Sequence, residues 1–323
     1  MITRRSALLA AGVVAVAIAA APGAQAQPYP NKPLKIIVAN PPGGDDDTLS
    51  RFIADQIQAE FGQPIIIENR GGAATTIGTR AGAQAAPDGY TIVCVHMASI
   101  IQTVLRSNLD YSLKSFTPVI GIGGYPMALV FSPKSKFKTF DELKAAVAKD
   151  DSVTYAAAGP GTMAHLTGVR FLTAVKGKGT MVPYKNNPDG LQGLAGGFTD
   201  FMFPSAREGA ALSSNGMINV LAVTAKQRLP ILPNTPTMTE LGLPQIDSRL
   251  WYSYLAPVGT PPDVVKKLGD LFEKAVLSPK FKERFEAQSF QTDIQRGEPL
   301  AQYLNVTAEN FRKAIIENNI KVE

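Results

Sequence analysis

The chain has 323 residues and a formal charge of +5, with 45% hydrophobic and 18% charged residues. That balance excludes a disordered protein, which would be apolar-poor and charge-rich, and the length suits about two domains with sizeable cores. The positive residues are dispersed, with no run longer than Arg4-Arg5 or Lys266-Lys267, so no nucleic-acid partner is expected.

The N-terminus reads as an export segment. Arg4 and Arg5 give a positive start, residues 7–21 are continuously apolar, and Ala24-Gln25-Ala26 offers small residues for cleavage. The stretch is short for a membrane span. Cleavage after Ala26 removes both arginines and lowers the charge from +5 to +3. Thr3-Arg4-Arg5-Ser6 fits a twin-arginine signal only loosely, which favours the general secretion route. No cysteine stands at the cleavage site for a lipid anchor, so a freely soluble exported protein is expected. Cys94 is the single cysteine and excludes an intramolecular disulfide. It lies in an apolar run and is expected to be buried and inert.

Residues 34–39 predict a buried strand, followed by the loop Asn40-Pro41-Pro42-Gly43-Gly44-Asp45-Asp46-Asp47. Helical spacing over 48–61 puts Leu49, Phe52, Ile53 and Ile57 on one face. A second strand is expected at 64–68, a small-residue helix at 78–86 and a third strand at 90–95. Residues 119–131 read as extended. Helices are predicted at 140–149, behind Thr139 as N-cap, and at 163–175 and 189–195. Strands are predicted at 153–157, 181–184, 198–203, 218–224 and 251–256. Long amphipathic helices are expected at 262–277 and 300–318. Strands alternating with helices indicate two α/β units. Two extended crossings make the first unit discontinuous, with the second inserted, and leave a cleft where ligands bind.

Few enzyme signatures are present. G-x-S-x-G, H-E-x-x-H and the P-loop are missing. His96 and His165 are the only histidines, 69 residues apart, and Cys94 is the single cysteine, so neither a metal nor a cofactor is expected. Gly159-Pro160-Gly161-Thr162 follows a strand and opens a helix. Its N–H groups suit an anion such as a carboxylate, or the glycines serve only a tight turn. Dinucleotide binding is disfavoured, because no acidic residue stands about 20 residues on. Gly43-Gly44 supports the same anion reading. The acidic trio after it either caps the helix or recognises a ligand donor. His165 and Trp251 are expected to pack, and Tyr252 to pack or line the cleft.

These loops, in this order, resemble the substrate-binding proteins of tripartite tricarboxylate transporters, the Bug/TctC family. The resemblance runs from Tyr29 to Glu323. It rests on Tyr29-Pro30-Asn31-Lys32-Pro33, Pro41-Pro42-Gly43-Gly44 with Asp47 and Arg51, Glu68-Asn69-Arg70, and Pro87-Asp88-Gly89-Tyr90-Thr91. It continues through Tyr155-Ala156-Ala157-Ala158-Gly159-Pro160-Gly161-Thr162, Val182-Pro183-Tyr184-Lys185, Leu221-Ala222-Val223-Thr224 and Leu255-Ala256-Pro257-Val258-Gly259-Thr260-Pro261. The resemblance implies a two-lobed α/β periplasmic binding protein of the Venus-flytrap, type II-like kind. Lobe 1 would comprise residues 27–124 and 250–323, and lobe 2 residues 125–249. The implied function is non-enzymatic capture of a mono- or dicarboxylate, aromatic acids included, by a monomer that delivers it to integral membrane transporter subunits. A sensory role, or an enzyme on the same fold, is the alternative. By position, Gly43, Gly44, Asp47 and Ser99 would be first-lobe contacts, and Gly159, Gly161 and Thr162 second-lobe contacts. Pro204-Ser205 replaces the family's usual Asp-Asn, which brings Ser205 into the candidate site, and Arg207 stands where the family tends to have proline. Arg207 either faces the cleft and pairs a ligand carboxylate or is a solvated surface charge. Met97, in a loop 95–99 that lacks the family's Gly-Thr-Ser, would make the pocket wider or more apolar.

Overall fold

The computed structural model describes residues 29–149 and 152–317. The export segment lies outside the described residues. Strands β1 (Leu34–Val38), β2 (Ile65–Asn69) and β3 (Thr91–His96) are parallel, with β1 in the middle. Helix α1 (Asp45–Phe61) joins β1 to β2, and α2 (Thr76–Ala83) joins β2 to β3. The buried stripe of α1 is Leu49, Phe52, Ile53, Ile57 and Phe61. Gly62 ends it at φ 77°, the left-handed cap that glycine takes without penalty. The helix starts three residues earlier than its apolar spacing predicts. Asp45, Asp46 and Asp47 form its first turn, where carboxylates are favoured by the helix dipole, and no side chain caps it.

Helix α3 (Met97–Leu105) corrects the expected loop at 95–99. Ile100, Ile101, Thr103 and Val104 weaken its helix propensity. Tertiary packing overrides them, and the His96 ring caps the helix by accepting the Ala98 N–H at 3.2 Å. Ser99 therefore stands in a helical first turn, and Met97 is buried in the apolar core.

The extended crossing at 119–131 divides into β4 (Phe116–Pro126) and β5 (Ala128–Phe131). β4 pairs antiparallel with β10 (Arg249–Pro257) and with β11 (Gln291–Gln295), giving the first sheet the order β11-β4-β10-β3-β1-β2. β5 opens a second sheet with β6 (Thr154–Ala157), β7 (Thr180–Pro183), β8 (Phe201–Met202) and β9 (Asn219–Val223), ordered β7-β6-β8-β5-β9. The strand expected at 198–203 shrinks to two residues, because Gly197 turns at φ 83° and leaves Phe198 exposed. The second lobe carries α4 (Phe140–Lys149), α5 (Met163–Ala174), α6 (Asn187–Gly196) and α7 (Ala206–Ser213). The first lobe is completed by α8 (Pro262–Val276), α9 (Pro279–Arg284) and α10 (Gly297–Glu317).

One apolar cluster runs through both sheets. Ile37, Val93 and Trp251 belong to it from the first, and Leu129, Tyr155 and Phe201 from the second. Trp251 is fully buried against Tyr303 and donates its indole N–H to Ser253 Oγ at 2.9 Å, so it packs. The two crossings are tied together where they meet. Thr224 Oγ1 accepts the Met127 N–H at 2.9 Å and donates to the Ser248 carbonyl.

Gly123 makes the β4 crossing possible. Its φ is 101°, and a Cβ there would lie 2.0 Å from the Gln291 carbonyl oxygen of β11. Backbone cannot move aside as a side chain can. Gly123→Ala is expected to cost about 3 kcal/mol, from overpacking together with a strained φ. Urea unfolding at neutral pH measures this, and a loss under about 0.5 kcal/mol would contradict the packing described.

Candidate ligand site between the lobes

The first wall of the site grows from the loop after β1. Gly43 takes φ 91°, open to glycine at no steric cost. Its N–H donates to Asp47 Oδ2 at 2.9 Å. Asp47 also accepts from Asn69 at 2.9 Å and pairs with Arg51 at 2.9 Å. Burial pushes its carboxyl up, but the bonds from Arg51, Gly43 and Asn69 outweigh burial and hold it below the usual range. Asp47 thus fixes the loop from within the first lobe. Gly44 stands at the N-cap of α1 in extended conformation, with the Asp46 carboxylate close enough to crowd any Cβ. Asp46 Oδ2 accepts from the Asn40 amide at 2.7 Å, and that same nitrogen lies 2.7 Å from His96 Nε2. Burial holds His96 below its ordinary value despite Asp46 and Asp45 nearby, which keeps the ring neutral at pH 7.

The second wall is the turn between β6 and α5. Gly159 and Gly161 take φ 91° and 74°. Thr162 is the N-cap of α5, accepting the His165 N–H at 3.4 Å and donating to the Gly159 carbonyl at 3.0 Å. His165 Nδ1 accepts the Gly161 N–H at 3.0 Å, so the imidazole holds the loop as a structural acceptor. Nothing stands within 4 Å of a Cβ placed on Gly159, which faces open space. Gly161 has the opposite surroundings. A Cβ on it would meet Leu105 at 2.3 Å and Ile101 at 3.3 Å, so this second-lobe turn presses on α3 of the first lobe.

The third contribution is α7, which residue pattern alone did not reveal. Ser205 caps it and forms a capping box with Glu208: Ser205 Oγ accepts the Glu208 N–H at 3.2 Å, and Glu208 accepts the Ser205 N–H at 3.0 Å. The Ser205 hydroxyl is therefore occupied within its own helix start. The cap aims Arg207 across the gap, where its guanidinium pairs with Asp45 of α1. It also lies over the Tyr125 ring, with its central carbon 5.7 Å from the centroid. Burial opposes the charge on Arg207, but Asp45 and Tyr125 outweigh burial and hold it firmly protonated. Burial pushes the Asp45 carboxyl up, and Arg207 only partly offsets this. Burial, reinforced by Asp45, does the same to Glu208.

Arg207 Nε and Tyr252 Oη at this junction, and Ser99 Oγ and Gln102 Nε2 on α3, are buried polar atoms with no partner among the described residues. Tyr252 lies opposite His96 in the β10–β3 register, and its hydroxyl feels Asp45, Asp46, Tyr125 and Glu208. Unpaired buried polar groups cost free energy, so they suit a site that a ligand completes. A cavity of about 210 Å³ opens beside the pair, and Asp45, Tyr125, Arg207, Arg284 and Phe285 are among the residues that line it. None of Gly43, Ser99, Gly159 or Thr162 lines it. The volume is below the ~300 Å³ typical of the smallest drug-sized pockets. Among the described residues, no cluster of three or more His, Cys, Asp or Glu could hold a metal ion.

Comparison with known proteins gives this geometry a family. The family model of the tripartite tricarboxylate transporter family receptor matches residues 49–320. The chain belongs to that family. Its relative BugT of Bordetella pertussis is 33% identical over 279 residues, covering 85% of each protein. The periplasmic binding protein BugD superposes with a TM-score of 0.80 at 28% identity, covering 91% of this chain and 100% of BugD. MatC of Rhodopseudomonas palustris, solved with bound malate, superposes at 0.77 with 26% identity, covering 89% of this chain and 100% of MatC. This family receptor therefore has the two-lobed α/β fold of periplasmic binding proteins.

His165 generates a pH signature in the receptor. Burial lowers its pKa to about 4, whereas the unfolded chain takes up that proton near 6.5. Between those values the unfolded state binds more protons, so stability falls as pH falls. The contribution lost between pH 8 and pH 5 is about 2 kcal/mol. Unfolding of wild type and His165→Gln at both pH values isolates it. The stability difference should shrink by that order at pH 5, and an unchanged difference would contradict a buried neutral ring.

Proposed function

We propose that this receptor works in the periplasm, captures a small organic carboxylate between its lobes and delivers it to a tripartite tricarboxylate-type membrane transporter. The observation that carries this reading is the guanidinium of Arg207. It projects from the second lobe to the first, half-buried, with its Nε unpartnered. A guanidinium binds a carboxylate through paired N–H donors. Tyr252 Oη and Ser99 Oγ, both buried and unpartnered, are further donors for a carboxylate oxygen. Gly159 leaves room for a ligand to approach backbone N–H groups at the start of α5. The malate held by MatC is a ligand of the same class.

The lobes touch at the Asp45–Arg207 pair and at the Gly161 turn on α3. A ligand bound between them shifts the balance of open and closed forms by its differential affinity for the two. The closed form then presents one surface, built from both lobes, to the membrane partner. Among the described residues no helix is long and apolar enough to cross a membrane, which fits a receptor that hands its ligand to a separate membrane protein.

A thermal-shift screen of residues 27–323 against mono-, di- and tricarboxylates tests this reading. A ligand at 100 times its Kd stabilises by about 2.7 kcal/mol. At least one carboxylate should raise Tm, and Arg207→Ala should weaken its binding tenfold or more. No stabilisation by any carboxylate, or unchanged affinity in Arg207→Ala, would overturn it.

A further inference from the structure

The charges at the junction are unequal in a way that bears on the ligand. Asp45, Asp46 and Glu208 are carboxylates gathered near one buried hydroxyl, that of Tyr252. Arg207 is the guanidinium bonded to this group, and it is already paired with Asp45. The His96 ring is neutral and contributes no positive charge. A second guanidinium, Arg284, lines the same cavity as Arg207. It stacks over Phe52 and Phe285, 5.7 and 5.5 Å from their centroids, rather than on a carboxylate.

Consider a plain carboxylate entering this space. Its anionic end competes with Asp45 for Arg207. Success would strand the Asp45 side chain, only 10% exposed, beside Asp46 and Glu208. A buried charge without a partner is strongly destabilising. A ligand that brings its own cation answers both halves of the pair at once. We propose that the ligand is a zwitterion whose carboxylate is received by Arg207 and Arg284 and whose cationic nitrogen is received by Asp45. The ligand thereby exchanges one interlobe ion pair for two, with the Tyr252 hydroxyl available as a further partner inside the junction. This deepens the carboxylate reading and rests on it. The cavity of about 210 Å³ beside the pair has room for a zwitterion of amino-acid or betaine type.

Calorimetry with matched pairs tests the proposal: 4-aminobutyrate against butyrate, 2-aminoadipate against adipate, and phenylalanine against 3-phenylpropionate. In the wild-type receptor, the amino member of the pair that fits should bind at least tenfold tighter than its amine-free counterpart. Asp45→Asn keeps the side-chain shape and should erase that preference. Arg284→Gln should weaken both members of the pair by a similar factor. Equal or tighter binding of the amine-free acids overturns the zwitterion proposal and leaves the carboxylate reading standing. A preference that survives Asp45→Asn also overturns it. Binding of amines that lack a carboxylate, or of no acid in either series, overturns the carboxylate reading as well. The wild-type comparison needs no variant, so a folding defect in Asp45→Asn cannot mask the outcome.

Discussion

A guanidinium carried into the space between two lobes must be answered by an anion, and much of this molecule's geometry bears on that one requirement. Arg207 is aimed by a helix that starts only because Ser205 and Glu208 cap it reciprocally. Its partner Asp45 is the first residue of α1, whose position depends on the Gly43-Gly44 turn and on the clamp that Asp47 makes with Arg51 and Asn69. Neighbouring aspartates thus have separate tasks. Asp47 holds the loop, Asp46 is tied to Asn40, and Asp45 reaches the other lobe.

The same economy governs the two histidines. Each imidazole is buried, and each accepts a backbone N–H at the start of a helix: His96 from Ala98 and His165 from Gly161. Among the described residues neither ring belongs to a cluster of three or more His, Cys, Asp or Glu that could hold a metal ion, and both rings set the starts of helices at the cleft. The cleft walls are therefore rigid at their bases. Between the walls lie the Asp45–Arg207 ion pair and the Gly161 turn packed on α3. A site built on rigid elements with a few unpartnered donors is preorganised for a small polar ligand.

Much of this was legible in the sequence, because strands and helices carry different apolar periods. The repeating strand–helix pattern gave the two α/β units, and the runs at 34–39, 140–149 and 262–277 marked elements that the structure places within a residue of those bounds. The glycine loops were legible because positive φ at Gly43, Gly159 and Gly161 leaves few other residues possible. Other parts were hidden for physical reasons. The start of helix α3 reads as a loop, and its β-branched Ile100, Ile101 and Val104 become helical only through packing. Strand β11, Gln-Thr-Asp-Ile-Gln, lies half-buried at a sheet edge and carries no apolar alternation. Helix α7 had a local signal in Ser205 and Glu208, spaced as a capping box. The direction of Arg207 had none, because it depends on where a second lobe stands, and one chain segment does not encode that.

The decisive measurement is a crystal structure of the receptor with its tightest-binding ligand. The ligand should lie between the lobes with its carboxylate on the Arg207 guanidinium, and Asp45 should have turned from Arg207 to the ligand. A complex in which Asp45 and Arg207 remain paired to each other, with the ligand seated outside the interlobe junction, would contradict the role assigned to this pair.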